Sequence, residues 1–334
     1  MKIKRLVIEN FKSIERIELI EPNPFTVFVG PNGSGKSNIF EALEFHIPET
    51  DISEKFRLFG GSDYLQNRLI KPDQNYAFII EADLFDEKIR NGSYVPIEEI
   101  GSAPGMYDLG FIRDPQKEEL NRQNYSVFAK SFSRIFVGKE RIQKQNYIDD
   151  SKLNLSCSNL EKVLNRILKD QVLKNEIFEW LNLFVPGFKS LDVVTNQFSG
   201  DDTLLWSDQS IEKPFTKQLI SDGTYNILAL LTAVYQSDDK PQFLCIEEPE
   251  NGLHPQVARE LVDFFRIMCE ERGHYIWLNT HSQSMVSRVR PEELVIVEKK
   301  QGATEIRQFK KEDFYGMRVD DAWLTNSLGG GLAW

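Results

Sequence analysis

Cysteine and histidine are scarce in this chain, with three of the first and four of the second among 334 residues. Cys157, Cys245 and Cys269 are odd in number and form no CxxC pair. A disulfide framework is therefore not expected, and buried reduced thiols are. No two histidines lie at metal-ligand spacing, which argues against a structural zinc site. No apolar run approaches the ~18 residues of a membrane span. The opening MKIKRLVIENFKSI is broken by charge every few residues, unlike a secretory signal. A cytoplasmic protein with no membrane association is the plain expectation. Positive charge is also in deficit: 40 Lys and Arg against 51 Asp and Glu leave a formal net charge of −11. That balance disfavours non-specific DNA binding, which rests on cations neutralising phosphates. The cations that do gather, VGKERIQK at 137–144, read first as a solvated helix face and second as a local basic face.

What is present is an alternation of strand-like and helix-like segments. IKRLVIENF and FTVFVG read as strands, and SNIFEALEFH as a helix with Ile39, Leu43 and His46 three or four apart. Residues 76–85 look like a further strand. From 86 to 135 Gly and Pro are frequent and no element is assigned. Residues 158–184 are helical, with Leu160, Val163, Leu164, Ile167 and Leu168 on one side. LDVVT, TLLWS and PFTKQLI read as an antiparallel meander. A second α/β block begins near 221: helix TYNILALLTAVY, buried strand QFLCIEE, amphipathic helix VARELVDFFRIMCEER, buried strand YIWLNTH, and a hairpin turning at QGAT.

Four short segments carry chemistry. Gly30-Pro31-Asn32-Gly33-Ser34-Gly35-Lys36-Ser37 fits GxxxxGK[ST] between a strand and a helix. Its glycines let successive N–H groups curl around phosphate oxygens, Lys36 reaches the β- and γ-phosphates, and Ser37 can ligate Mg²⁺. The helix that follows points its positive end at the same anion. In IEEPE (246–250), a buried strand delivers Glu247 and Glu248 to a sheet edge, where one acid can serve a metal and the next can polarise water. Ser221, opening SDGT before a helix, reads either as an N-cap alone or as a second anion site together with Gly223. His281, ending NTH, reads either as a solvated histidine or as a group facing a γ-phosphate.

IENFKSI, GPNGSGKSN, ISDGT, IEEPENGLHP and NTHSQSMV occur in this order. Together they resemble the ABC-type ATPase heads of the SMC, RecF and OLD families, over most of the chain and loosely at 86–190. The resemblance implies an α/β P-loop fold: a mostly parallel sheet flanked by helices, with an antiparallel β lobe and a helical insertion. It divides the chain into 1–85 with Walker A, a variable inserted lobe at 86–190, and 191–334 with the signature, Walker B and switch histidine. It implies ATP and Mg²⁺, cradled by Gly30 to Ser37 and Asn38, with Phe11 and Lys12 near base and ribose. Ser37 and Glu247 would face the metal, Glu248 would be the catalytic base beside Lys36, and His281 the switch. Ser221 and Gly223 would reach the nucleotide of a second copy, making a homodimer through an ATP sandwich.

Departures from the pattern matter as well. SDGT replaces the transporters' SGGQ, Glu247 stands where Asp is usual, and His254 stands where many relatives carry Asp. No Q-loop glutamine is assignable. No coiled-coil arm is visible between Ser37 and Ser221, and 53 residues follow His281 with no DxD, so an appended Toprim nuclease is not expected. The head is thus expected to regulate a separate effector, a nuclease of Toprim or HNH type in an anti-phage or DNA-processing complex. A direct nucleic-acid contact stays open. The alternatives are an autonomous ATP-dependent DNA clamp and, further off, a transporter's nucleotide-binding subunit.

Overall fold

The runs FTVFV, FLCIE and YIWLN are buried at every position, as strands covered on both faces must be. They form the middle of the sheet that carries the site. The computed structural model describes residues 2–47, 52–65, 67, 76–84, 87–95, 115–138, 150–238 and 240–329. Of the basic run at 137–144, only Val137 and Gly138 fall within these.

Strands β1 (Lys2–Phe11), β2 (Ile14–Ile20), β4 (Tyr76–Leu84) and β5 (Glu87–Val95) make an antiparallel lobe ordered β2-β1-β4-β5. The central sheet is ordered β13-β12-β3-β11-β10-β6. Its strands are β3 (Phe25–Val29), β6 (Phe132–Phe136), β10 (Phe243–Glu247), β11 (Tyr275–Asn279), β12 (Leu294–Lys300) and β13 (Ala303–Gln308). All pairings in it are parallel except β12 with β13. A third sheet holds β7 (Phe188–Thr195), β8 (Asp202–Asp208) and β9 (Phe215–Thr216). The mostly parallel α/β architecture with an antiparallel lobe is the one expected.

Side chains alternate across the central sheet, so each strand feeds two cores. Phe25, Val27, Val29, Ile276 and Leu278 face one apolar cluster with α5 (Leu160–Ile167), α6 (Gln171–Phe184), α7 (Asp222–Tyr235) and α8 (Pro255–Arg272). Phe28, Val295, Val297, Cys245 and Trp277 face the other, with α1 (Lys36–His46), the lobe and α4 (Pro115–Ser131). Short helices α2 (Ile52–Leu58), α3 (Ser62–Leu65), α9 (Gln283–Val286) and α10 (Val319–Leu324) fill the periphery. The three cysteines are buried and unpaired. No helix among the described residues is long and apolar enough to cross a membrane.

Several local outcomes differ from the sequence reading. The helical run at 158–184 is two helices, because Asp170 leaves helical geometry and its carboxylate caps α6 through the amides of Val172 and Leu173. The third meander piece holds strand only at Phe215–Thr216 before a 3₁₀ turn at Lys217–Leu219. Within 86–190, β5 extends the lobe and β6 is the edge strand of the central sheet, so both are continuous with the surrounding sheets.

Hairpin β12–β13 fastens lobe to sheet. The Thr304 amide donates to the Ser13 carbonyl at 2.7 Å, and the Gln308 amide group exchanges two hydrogen bonds with the backbone of Ile20. The start of β12 is anchored in turn by buried Arg266 of α8. Its guanidinium donates to both oxygens of buried Glu293 at 2.6 and 2.9 Å, and to Asp263 and the Arg288 carbonyl. Removing one partner of such a pair strands a buried charge, at a cost of roughly 3–5 kcal/mol. Arg266→Met is therefore expected to lower the urea unfolding free energy by that amount. The double variant Arg266→Met, Glu293→Leu should recover most of the loss, and equal losses in both would contradict the assignment.

Candidate functional site

The C-terminal ends of β3, β10 and β11 lie side by side, and the loops after them meet at one place. After β3 the chain enters Gly30-Pro-Asn-Gly-Ser-Gly35 with left-handed backbone at Gly33 and Gly35 (φ 76° and 106°). Gly30 is needed for a different reason: a Cβ there would run into the Val297 carbonyl of β12. At Gly35 a Cβ would meet the hydroxyls of Thr304 and Ser13. The loop is thus pressed between helix α1 and hairpin β12–β13 before any ligand is considered.

Lys36 opens α1 and is buried. Its ammonium donates to the carbonyls of Gly30 at 2.7 Å and Pro31 at 3.0 Å, across the mouth of the loop. Burial pushes its pKa down to about 8, against the opposing pull of Glu248, Glu247 and Glu250.

Next to it, the Ser37 hydroxyl donates to Glu247 Oε2 at 2.6 Å. Asn279 Nδ2, from the end of β11, donates to the same Oε2 at 3.0 Å and to Ser37 Oγ at 3.1 Å. Three strand or helix ends therefore converge on one carboxylate oxygen. Ser37 Oγ and Glu247 Oε2 are hard oxygen donors of the kind magnesium takes. Ser34 Oγ and Asn279 Oδ1 are buried without a protein partner, so polar capacity remains in the cradle. The donor set fits a phosphate with a small divalent cation.

Glu248 follows in a left-handed turn (φ 46°), a conformation costing a non-glycine residue about 1 kcal/mol. The turn is held by its amide donating to the Asn279 carbonyl at 2.8 Å, and its carboxylate accepts from Asn251 Nδ2 at 3.3 Å. Strain of this kind collects where a side chain must leave the line of its strand. Glu250 was not singled out by the sequence, although it is the third acid of IEEPE. It accepts from the Thr280 hydroxyl at 2.6 Å and the His281 amide at 3.0 Å, pinning the loop after β11 to the loop after β10. Burial raises its pKa. The partly exposed His281 has its pKa lowered, first by partial burial and then by the charge of Lys36, with Glu248 opposing. Lys36, Glu248 and His281 thus feel one another electrostatically.

The remaining residues are placed as follows. Asn38 Nδ2 donates to Ser13 Oγ at 2.6 Å, Ser13 Oγ is 2.6 Å from Thr304 Oγ1, and Thr304 Oγ1 donates to the Ser34 carbonyl at 2.9 Å. This hydroxyl chain braces the loop from the lobe side, and neither Ser13 nor Thr304 was picked out from the sequence. Lys12, in a left-handed turn (φ 52°), is paired with Glu41 of α1. Phe11 is fully buried against Phe45 and His46, with ring centroids at 5.9 and 6.0 Å, and has no surface to offer a base. Its aromatic contacts belong to the core. Ser221 is the N-cap of α7, its hydroxyl accepting from the Thr224 amide at 3.2 Å. A Cβ at Gly223 would strike the Gly252 carbonyl, so this turn packs backbone-to-backbone on the loop behind Glu248.

An anion in the loop would raise the Lys36 pKa from about 8, because opposite charge favours the ammonium. The sign follows from a bound-state pKa above the free one: affinity is full below the free value and falls as pH rises through it, by up to about tenfold per unit. Binding of a fluorescent ATP analogue, titrated across about pH 6.5 to 9.5, should show a plateau that bends downward near pH 8. The variant Lys36→Met should bind weakly with no bend. A flat wild-type profile would show that the ammonium does not meet the ligand.

The family model described as "AAA domain, putative AbiEii toxin, Type IV TA system" matches residues 25–287. The chromosome partition protein Smc of Methanocaldococcus jannaschii is 36% identical over 91 residues, 24% of this chain and 8% of that protein. The OLD nuclease of Thermus scotoductus is 22% identical over 358 aligned positions, 93% of this chain and 65% of that protein. Both relatives are thus longer than the part matched. Among solved structures, an SMC head bound to the C-winged helix domain of ScpA superposes with a TM-score of 0.64 at 16% identity, covering 93% of this chain and 98% of that one. The chain therefore belongs to the family of that AAA model, and it is similar in sequence to SMC, RecF and OLD proteins and in fold to an SMC head.

Proposed function

We propose that this chain binds ATP with Mg²⁺, hydrolyses it, and uses the cycle to dimerise and to set the state of a separate effector. The observation that carries the reading is the convergence of Ser37, Glu247 and Asn279 beside the loop spanned by Lys36, with Glu248 turned off the strand end next to them. Residues Gly30 to Asn38 would cradle the phosphates, Lys36 meeting the terminal ones and Lys12 lying at the lobe side. Ser37 and Glu247 would hold Mg²⁺, which when bound neutralises charge on the phosphate oxygens. Glu248 is the general base for the attacking water. The lowered pKa of His281 keeps its ring neutral near pH 7, suited to accept from that water or to donate to a phosphate oxygen.

Ser221 and Gly223 would serve the nucleotide of a second copy. Ser221 is exposed, and within its own chain its hydroxyl bonds Thr224. A hydroxyl at a helix N-terminus is a ready anion contact for a neighbour. Two such contacts across a two-fold axis give a dimer with two ATP sites in its single interface. The effector is inferred to be a nuclease in an anti-phage or DNA-processing complex, supported by likeness to an OLD nuclease of which this chain spans 65%.

Glu248→Gln tests the chemistry. It is expected to lower kcat roughly 10²- to 10³-fold with little change in ATP affinity, and to trap a dimer visible by light scattering. Unchanged hydrolysis would remove Glu248 from the role. The sandwich is tested by mixing Lys36→Ala with Ser221→Arg protein, each inactive alone. A mixed pair contains one site with intact Lys36 and intact Ser221, so activity should return, whereas a site built within one chain gives none.

A further inference from the structure

Resting on the reading of Ser37 and Glu247 as the metal's protein ligands, the geometry points to Arg134 as a positioning residue for that metal, acting through Glu247. Arg134 lies in the middle of the edge strand β6, in register with Cys245 of β10, two residues before Glu247. Its side chain runs between the sheet and α1 and is 4% exposed. Nε donates to Glu247 Oε1 at 3.0 Å, Nη2 donates to the same oxygen, and Nη1 donates to Glu44 Oε2 of α1 at 2.5 Å. Glu41, one helical turn from Glu44, lies 3.9 Å from Nη1 and is itself paired with Lys12.

The two oxygens of Glu247 are therefore divided. Oε1 is occupied by two guanidinium donors, and Oε2 alone faces Ser37 and Asn279. A glutamate has one more rotatable bond than the aspartate usual at this position in such heads. Left alone, its carboxylate could swing away from Ser37 or offer the wrong oxygen. Arg134 removes that freedom because two donors of its rigid fork converge on Oε1 and hold that oxygen in place, which a point charge on a flexible stem does not do. Magnesium tolerates little departure from octahedral geometry, and partners behind a ligating carboxylate commonly change metal affinity about 10- to 100-fold.

A purely neutralising role makes a different prediction, since lysine supplies the same charge. The test is Mn²⁺ binding to the full chain with ATPγS, followed by the electron paramagnetic resonance signal of free Mn²⁺. Arg134→Lys is expected to weaken Mn²⁺ about tenfold, with ATPγS affinity in EDTA unchanged and a cooperative melting transition retained. Glu44→Gln, which loosens the other anchor of the guanidinium and leaves Arg134 in place, should weaken Mn²⁺ about threefold. It carries the test alone if Arg134→Lys does not fold. Wild-type Mn²⁺ affinity in folded Arg134→Lys, or in Glu44→Gln where that variant carries the test, would overturn the assignment while leaving the ATPase reading intact. Failure of the wild-type chain to bind Mn²⁺ with ATPγS would overturn the ATPase reading itself, and this inference with it.

Discussion

The carboxylate of Glu247 is 1% exposed, and an ionised group so deep in a protein survives only if every lone pair is spoken for. Here one oxygen takes Arg134 from β6, and the other takes Ser37 from α1 and Asn279 from β11. Three separate chain segments are thus tied to a single buried charge carried by a fourth, β10. The tie fixes the height of α1 over the sheet, and with it where the loop before α1 presents its backbone amides. Burial makes the arrangement unforgiving: the interactions are strong because water is excluded, and each is costly to lose for the same reason.

A second constraint comes from the opposite side. Hairpin β12–β13 lies far along the sequence from the phosphate-type loop, yet the Val297 carbonyl fills the space a side chain at Gly30 would need. The Thr304 hydroxyl holds the Ser34 carbonyl, and the Thr304 amide holds Ser13 of the lobe. The loop is consequently gripped by the sheet on one flank and by the lobe on the other. Its left-handed glycines let the chain follow that narrow path, and the shape of the cradle is set by packing that does not involve the ligand.

Much of the scaffold was legible in the sequence because its signals are local. FTVFV, FLCIE and YIWLN announce doubly covered strands by unbroken apolarity, and GPNGSGKS announces its turn by spacing. The acids after FLCI could be placed at a sheet edge for the same reason. What stayed hidden depends on distant partners. Arg134 interrupts FSRIF and reads as a polar break in an apolar run, since its partners Glu44 and Glu247 lie 90 and 113 residues away. Thr304 sits in a turn-like stretch 270 residues from the loop that it braces. Phe11 misled in the other direction: motif position placed it near a base, while left-handed backbone at Asn10 (φ 59°) breaks the alternation of β1 and its ring joins Leu6 and Ile8 in the core beside Phe45 and His46. The break between α5 and α6 was likewise missed, because apolar periodicity runs across Asp170 and only its capping geometry marks the end.

The contact between Gly223 and Gly252 has a mechanical consequence. With no Cβ on either residue, the turn that opens α7 rests directly on the peptide plane of the loop that follows Glu248, and Asn226 Nδ2 donates to the Asn251 carbonyl at 2.9 Å beside it. There is no side chain between them to flex and absorb a shift. A tug on the serine turn from outside is therefore felt at once by the glutamate loop, the two behaving as opposite ends of one short lever.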